Sequence, residues 1–485
     1  MSWSALTLER RQVPSFSSDA GRGRLVAAGV GGVAAVTLIA GLLVASNAAL
    51  YAAIAVVALV GTYFVLRHPT AIAYIAVLWV LFEKSAGAHD PNLTNALSAV
   101  GDGLLVLGLA LAIIVNIIKR RYPVLRFGPV FLGGAAFVAL AIASTIANSV
   151  PLSVATLGVL DSIRSLLMFL IVINIGVGAR DLKIAAYWLV GLMSVSAFVG
   201  VLQVLPGSPA WALGGLRFPA VHGLMRVDGL FDHPDSLGNY LALTMPLAIV
   251  LFLLGDIQGR ARKWLGTGVA AQVIALIFTF GREAWIAVPL SIIIIGLFVE
   301  PKLLKAALPP AALLALAVAP FFTSVNTSDN GAQRFTLLKL TWPLIKTHWL
   351  LGVGPGRYGG HVADVTNTPL YAEYHVSNFF YGTGNQIDQF WTHLIAESGV
   401  LGVGAFLMML IGCLVIGRRA YLMSADPRRR AIILGLLCAI PSVIILSFVS
   451  AALEEGPASV LFWGLMGMLV VLAANPEEVS NHESG

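Results

Sequence analysis

The chain has 485 residues, of which 58% are apolar and 11% charged, with a mean hydropathy of +0.87; a soluble globular chain carries roughly 25% charge. A water-soluble globule and a disulfide scaffold are both excluded, because Cys413 and Cys438 are the only cysteines and both sit in apolar runs. The net charge of +6, from 30 Lys+Arg against 24 Asp+Glu, is spread thinly and gives no nucleic-acid-binding patch.

A polytopic membrane protein remains. A bilayer core needs about 20 mostly apolar residues per helix, because backbone groups in hydrocarbon must satisfy one another. Fourteen segments qualify, at 25–45, 49–66, 69–83, 102–118, 128–147, 154–177, 184–205, 236–254, 264–280, 283–299, 306–321, 392–416, 431–450 and 457–474. The third and tenth are short, so the expected count is 12–14 in an all-α fold. The polar start, 1–24, lacks a compact apolar core with a cleavage site and reads as a cytoplasmic tail; 475–485 reads as a second.

Basic residues orient the spans, since short loops rich in Lys and Arg stay in the cytoplasm. With the N-terminus inside, 21 of the 30 basic residues fall on the cytoplasmic side. The other nine are Lys84, Arg164, Arg217, Arg226, Arg282, Arg334, Lys339, Lys346 and Arg357; Arg164 lies within a span and the rest in outer loops. Two outer loops are long enough to hold structure, about 206–235 and 322–391. In the second, Phe335, Leu338, Trp342 and Ile345 recur at helical spacing, which predicts an amphipathic helix on the outer membrane surface. The chain therefore reads as one membrane domain, 25–321 with 392–474, carrying an outer cap.

Several polar groups in this frame need a partner or a role. Arg282, in Phe280-Gly-Arg-Glu-Ala-Trp285, sits at a tight outer turn between spans, where it either serves a site or snorkels beside Glu283. Arg226 opens Arg226-Val-Asp-Gly-Leu-Phe-Asp-His-Pro-Asp-Ser-Leu-Gly-Asn-Tyr240, whose polar residues suit either a site or helix capping by Asp235 or Ser236. Gly352-Val-Gly-Pro-Gly-Arg-Tyr-Gly-Gly360 lacks the Gly-Lys-Ser/Thr of a phosphate-binding Walker loop. It is either a plain loop or a turn whose backbone N–H groups point at an anion. His393 and Glu397 share one helical face but supply too few partners for zinc. Glu397 in an apolar helix needs a partner or a role, while His393, His222 and His233 suit hydrogen-bonded structural roles. Asp161 and Arg164, three apart on one face within a span, either pair with each other or mark a mid-span polar site of the kind a transporter uses.

Taken together and in order, these segments resemble the O-antigen ligase and polymerase family, the Wzy/WaaL-like integral membrane glycosyltransferases. Arg226 to Leu241 resembles Arg-x-x-Gly-x-Phe-x-His-Pro-Asn-x-Leu-Gly-x-x-Leu, and Gly281-Arg-Glu-Ala-Trp285 resembles Ser-Arg-Gly-Ala-Trp. Arg334, Trp342 and Leu351-Gly-Val-Gly-Pro-Gly-Arg-Tyr358 are similar to Arg…Trp…Leu-Gly-x-Gly-x-Gly-x-Phe, and Leu394-Ile-Ala-Glu-Ser-Gly-Val-Leu-Gly402 to Leu-Leu-Ala-Glu-x-Gly-Leu-Leu-Gly. The likeness covers about 220–405.

The resemblance implies a GT-C-like helical fold and an undecaprenyl-diphosphate-linked glycan donor. It also implies a glycan or lipid A core acceptor, with a polysaccharide chain-length regulator as a further partner. Transfer is expected on the outer face of the cytoplasmic membrane, by a metal-independent, inverting route without cofactors. Arg226, Arg282 and Arg357 are the expected diphosphate ligands, supported by Arg334 and Lys346, with Arg282 and Arg357 also stabilising the leaving group. Where ligases of the family carry His-Asn-x-x-Leu, this chain has Asp388-Gln389, closer to the Asp-Asn-x-Tyr-Leu of polymerase-like relatives. Asp388 is the expected base, with His375 and then His361 in reserve; His233 and Glu397 are further expected site residues. A transporter or lipid-linked oligosaccharide flippase is the competing class, although no internal repeat is visible, and a non-catalytic scaffold is a third.

Overall fold

The computed structural model describes residues 71–474 apart from 88–90, 119–127, 176, 206, 216–217, 220–224, most of 306–329, 377–386, 388 and 455. The first two expected spans, most of the eleventh, and Asp388 lie outside the described residues. The chain divides at Ala71, and everything below concerns the unit Ile72–Gly485.

Helices dominate. They are α1 (Ala71–Gly87), α2 (Pro91–Ile118), α3 (Pro129–Ala147), α4 (Leu152–Ile163), α5 (Leu166–Asn174), α6 (Ala179–Gln203), α7 (Pro234–Leu254), α8 (Gly259–Thr279) and α9 (Arg282–Phe298). Then come α10 (Asn330–Thr347), the short α11 (His361–Val365) and α12 (Leu370–Glu373), α13 (Phe390–Met423), α14 (Pro427–Leu446) and α15 (Gly456–Ala474). A two-residue hairpin, β1 (Phe218–Pro219) with β2 (Met225–Arg226), pairs antiparallel with Phe218 opposite Arg226. Among the described residues, seven helices are long and apolar enough to cross a membrane, and α4 with α5 makes an eighth, bent by 51°. The molecule is an all-α polytopic membrane protein.

The bend corrects one expectation. The span expected at 154–177 is two helices, and Arg164 occupies the break between them rather than a helix interior. Its guanidinium meets Asp161 at 3.4 Å and Asp102 at 3.9 Å.

Side-chain size explains the packing. α14 is the central helix, lying against α7, α9, α13 and α15. At Gly435 a Cβ would come within 2.5 Å of the Leu247 Cα, so only glycine lets α14 approach α7 so closely. Gly133 does the same for α3 on α13, where a Cβ would sit 2.8 Å from the Ala405 carbonyl oxygen. Around this core α2, α3 and α6 turn large apolar side chains outward, among them Ile117, Ile146, Val195 and Phe198. A surface of that kind would be a liability in water and is ordinary against lipid.

Hydrogen bonds give each helix a direction. The Trp391 indole N–H donates to the Ile444 carbonyl at 3.1 Å, which sets the start of α13 beside the end of α14. At the other end the Tyr421 hydroxyl bonds the Glu300 carboxylate, and Arg430 meets the same carboxylate at 3.8 Å, bringing the end of α9 to the start of α14. Lys183, near the start of α6, pairs with Asp426 at that end too. The starts of α9, α13 and α15 and the ends of α8 and α14 therefore share the opposite end. α9 has 17 residues, which separates the two ends by about 26 Å at 1.5 Å per residue.

Candidate active site at one end of the bundle

α13 is interrupted at Gly399, whose φ of 61° and ψ of −172° belong to a region open almost only to glycine. The glycine-rich turn fills the interruption. Val353 N–H donates to the Ala396 carbonyl at 2.9 Å and Gly354 N–H to the Glu397 carbonyl at 3.0 Å. In return Val400 N–H donates to the Trp349 carbonyl at 2.8 Å and Leu401 N–H to the Leu350 carbonyl at 3.3 Å. The two chains touch so closely that a Cβ on Gly399 would lie 2.4 Å from the Leu350 carbonyl carbon, and one on Gly352 2.2 Å from that of Glu397. Asn148 holds the outside of the turn by donating to the Gly352 carbonyl at 3.0 Å, and α4 lies against it at Gly158, where a Cβ would come within 2.3 Å of Gly356 N.

The Glu397 side chain then answers which anion this turn faces. Its carboxylate accepts from Gly356 N–H at 2.9 Å and from Tyr358 N–H at 2.7 Å. The anion at these two amides is thus the protein's own, and they are not free for a phosphate. His393, one helical turn earlier, places Nε2 3.2 Å from Glu397 Oε2, and its Nδ1 bonds Glu454 Oε1. All three side chains are buried or nearly so. They line a small cavity with Phe390, Phe406 and Trp463. Burial pushes the Glu454 carboxyl up from the usual carboxylate range; His393 draws it back, and the negative charges of Glu397 and Asp161 raise it again.

Arg357 stands between the two clamped amides, half-buried. Arg282 is the first residue of α9, also half-buried, in the turn where the helix leaves its first N–H groups without intrahelical partners. Neither forms an ion pair with an acidic side chain among the described residues, so the alternative reading of Arg282, beside Glu283 as a snorkelling pair, is not met. Arg226 is engaged: Nε donates to the Thr279 carbonyl at 2.7 Å and Nη2 bonds the Asp235 carboxylate. The cap of α7 is His233, whose Nδ1 accepts from Asp235 N–H at 3.1 Å, in place of the Asp235 or Ser236 expected from sequence. Arg226, Arg282 and Arg357 thus lie at the same end of the bundle.

Around the turn the cap has an apolar core that includes Leu337, Leu344, Ile345, Val353, Tyr358 and Tyr371. The cap core takes a face of α10 that adjoins the expected apolar one, with Ile345 common to both. Leu337, Thr341, Leu344 and Ile345 are buried, while Trp342 is 50% exposed with Lys346 5.7 Å from its ring centre. Thr341 decides the rotation, because its hydroxyl bonds the buried Tyr358 hydroxyl at 2.7 Å and carries a polar residue inward. Burial pushes the Tyr358 phenol up to about 12. Arg334 lies on α10. His361 opens α11 and His375 follows α12 in the left-handed region at φ 55°, both exposed and neither beside the Glu397 cluster in any described contact.

Sequence reading missed Glu454, which lies beyond the segment of resemblance, and it missed the node that closes the other outer loop. Gln203 donates from Nε2 to Asp228 Oδ1 at 2.7 Å and accepts from Gly229 N–H at 2.9 Å; Asp228 Oδ2 accepts from Gly215 N–H at 2.8 Å. Burial pushes the Asp228 carboxyl up to about 6, with the Gln203 bond opposing. A carboxylate two residues after Arg226 was the available signal, but its partner lies 25 residues away. Among the described residues no group of three or more His, Cys, Asp or Glu side chains is arranged to hold a metal ion.

Residues 235–407 match the family model described as O-antigen ligase. The match takes in Arg282, Arg334, Lys346, Arg357, Asp388 and Glu397, and leaves out Arg226, His233 and Glu454. No curated protein matches the chain.

Proposed function

We propose that the chain, whose residues 235–407 match the O-antigen ligase model, is a membrane glycan-joining enzyme that transfers a glycan from an undecaprenyl-diphosphate donor on the outer face of the cytoplasmic membrane. The observation that carries this is the placement of Arg282 and Arg357, two half-buried guanidiniums at one end of the helices without acidic partners among the described residues. Lys183, Arg428, Arg429, Arg430 and Lys302 belong to the other end. By the bias of basic residues to the cytoplasm, that end faces inward and the arginines face outward.

The chemistry follows from charge. The acceptor hydroxyl oxygen attacks the anomeric carbon from the side opposite the phosphate, the glycosyl–oxygen bond breaks, and the diphosphate leaves with the electron pair. Negative charge grows on the leaving oxygens, and guanidiniums fixed in advance stabilise it without reorganising. Arg282 adds the potential of a helix N-terminus. Arg226, whose charge is shared with Asp235, together with Arg334 and Lys346, completes the rim. Asp388 takes the hydroxyl proton, with His375 in reserve. The Asp388-Gln389 pair favours addition to another glycan over transfer to lipid A core, with a chain-length regulator as partner.

The test is purified protein with a lipid-linked repeat unit. Arg282→Ala and Arg357→Ala should each insert normally and lose about 10²–10³ in rate, and chelator should change nothing. Wild-type rates in Arg282→Ala would refute the role of that arginine. Should both alanine variants work while Asp161→Ala or Arg164→Ala abolishes function, a flippase or transporter becomes the better reading.

A further inference from the structure

We infer that Glu454 and His393 are positioning residues for Arg357, acting through Glu397; this rests on the diphosphate-binding role proposed for that arginine. The connection is continuous and each link is a bond already described. Glu454 bonds His393 Nδ1, His393 Nε2 faces Glu397, and Glu397 holds the N–H groups of Gly356 and Tyr358, the two residues that flank Arg357. Fixing the backbone on both sides leaves Arg357 only its own side-chain rotations. A guanidinium aimed in this way loses less freedom when it grips a ligand.

Both ring nitrogens of His393 face carboxylate oxygens, so the three groups share one proton beyond those of a neutral imidazole. Without it a carboxylate and a ring lone pair would oppose each other in a buried site. The ring has little room to turn away, because Gly359 and Gly360 lie against it: a Cβ on either would come within 2.9 Å of a ring or Cβ carbon of His393. Among the described residues, Asp161 acts on Glu454 and Arg164 Nη2 donates to the Glu454 carbonyl at 3.5 Å. Tyr371 faces the cluster from the cap, where its hydroxyl accepts from Gly359 N–H at 3.0 Å. Glu454 reaches the turn from the loop before α15, so two distant stretches of chain must both be in place before Arg357 is aimed.

A double-mutant cycle tests this, using binding of undecaprenyl diphosphate and transfer from a lipid-linked repeat unit as readouts. Glu454→Ala should weaken binding by about tenfold in the otherwise unchanged protein and by less than about twofold in the Arg357→Ala background, since positions acting through one group are not additive. Glu454→Gln, which keeps an oxygen to accept from His393, should fall between and guards against a variant that does not fold. Equal losses in both backgrounds, or folded Glu454→Ala and Glu454→Gln with unchanged affinity, would overturn the inference. If Arg357→Ala itself binds and transfers normally, the diphosphate role of Arg357 has failed instead, which is a separate result.

Discussion

Replacing Gly399 by alanine attacks the bridge between α13 and the glycine-rich turn at its narrowest point. Alanine at φ 61° and ψ −172° costs about 1–3 kcal/mol in backbone strain. The new Cβ would also lie 2.4 Å from the Leu350 carbonyl carbon. To relieve that overlap the chains must part, stretching the bonds from Val400 N–H at 2.8 Å and Leu401 N–H at 3.3 Å. Each is worth about 0.5–1.5 kcal/mol, so the whole change should cost on the order of 2–6 kcal/mol. Gly404→Ala is the control: it lies in the same helix with nothing within 4 Å of an added Cβ, and alanine there should stabilise by about 0.5–1 kcal/mol. Thermal unfolding of both variants in one detergent separates strain and overlap from simple loss of a glycine. If Gly399→Ala melts with or above Gly404→Ala, the bridge does not carry the load assigned to it.

Gly158→Ala, which drives a Cβ to within 2.3 Å of Gly356 N, should lower transfer activity more than it lowers melting temperature; equal activity to the unchanged protein would show that α4 yields freely. Asp228 should make the loop after α6 less stable as pH rises, because its folded carboxyl, at about 6 against 3.8, holds a proton that the unfolded one has released. Stability from this group is greatest below about pH 4 and is lost through pH 6, a change of about 3 kcal/mol at 1.36 per unit. Hydrogen exchange of residues 207–215 from pH 4 to 7 should show this trend, and Asp228→Asn should abolish it. Asp388→Asn should lose transfer while still binding undecaprenyl diphosphate; undiminished activity would redirect the search for a base to His375.

What could be read from the residues alone divides along physical lines. Membrane helices are a local property, since hydropathy over about 20 residues decides them, and α3, α6, α7, α14 and α15 all lie on expected spans. The break at Arg164 was visible only as charges in an apolar run, and one of its ion-pair partners, Asp102, lies in a different helix far back along the chain. The second, cap-facing side of α10 was not singled out, because Thr341 carries no apolar signal and its partner Tyr358 lies 17 residues away. The arginines were singled out by topology and motif, but the packing of Gly352 on Glu397 and of Gly399 on Leu350, and the bonds from Glu397 to the amides around Arg357, join segments some forty residues apart along the chain. No spacing rule connects them. Glu454 carried no signal at all until His393 was seen beside it.

The chain that leaves the glycine-rich turn at Gly359 comes back to the same place, where Ile387 N–H donates to the Gly359 carbonyl at 2.8 Å. The described part of the excursion between these two residues is held at a second point, since the Tyr371 hydroxyl accepts from Gly359 N–H and Ala363, Leu370, Tyr371 and Val376 share the cap core with Tyr358. Gly359 is thus a knot, tied through its carbonyl to the returning chain at Ile387 and through its amide to Tyr371. A change along 361–376 that unseats Tyr371 is thereby felt at the backbone beside Arg357, although the two residues are far apart along the chain.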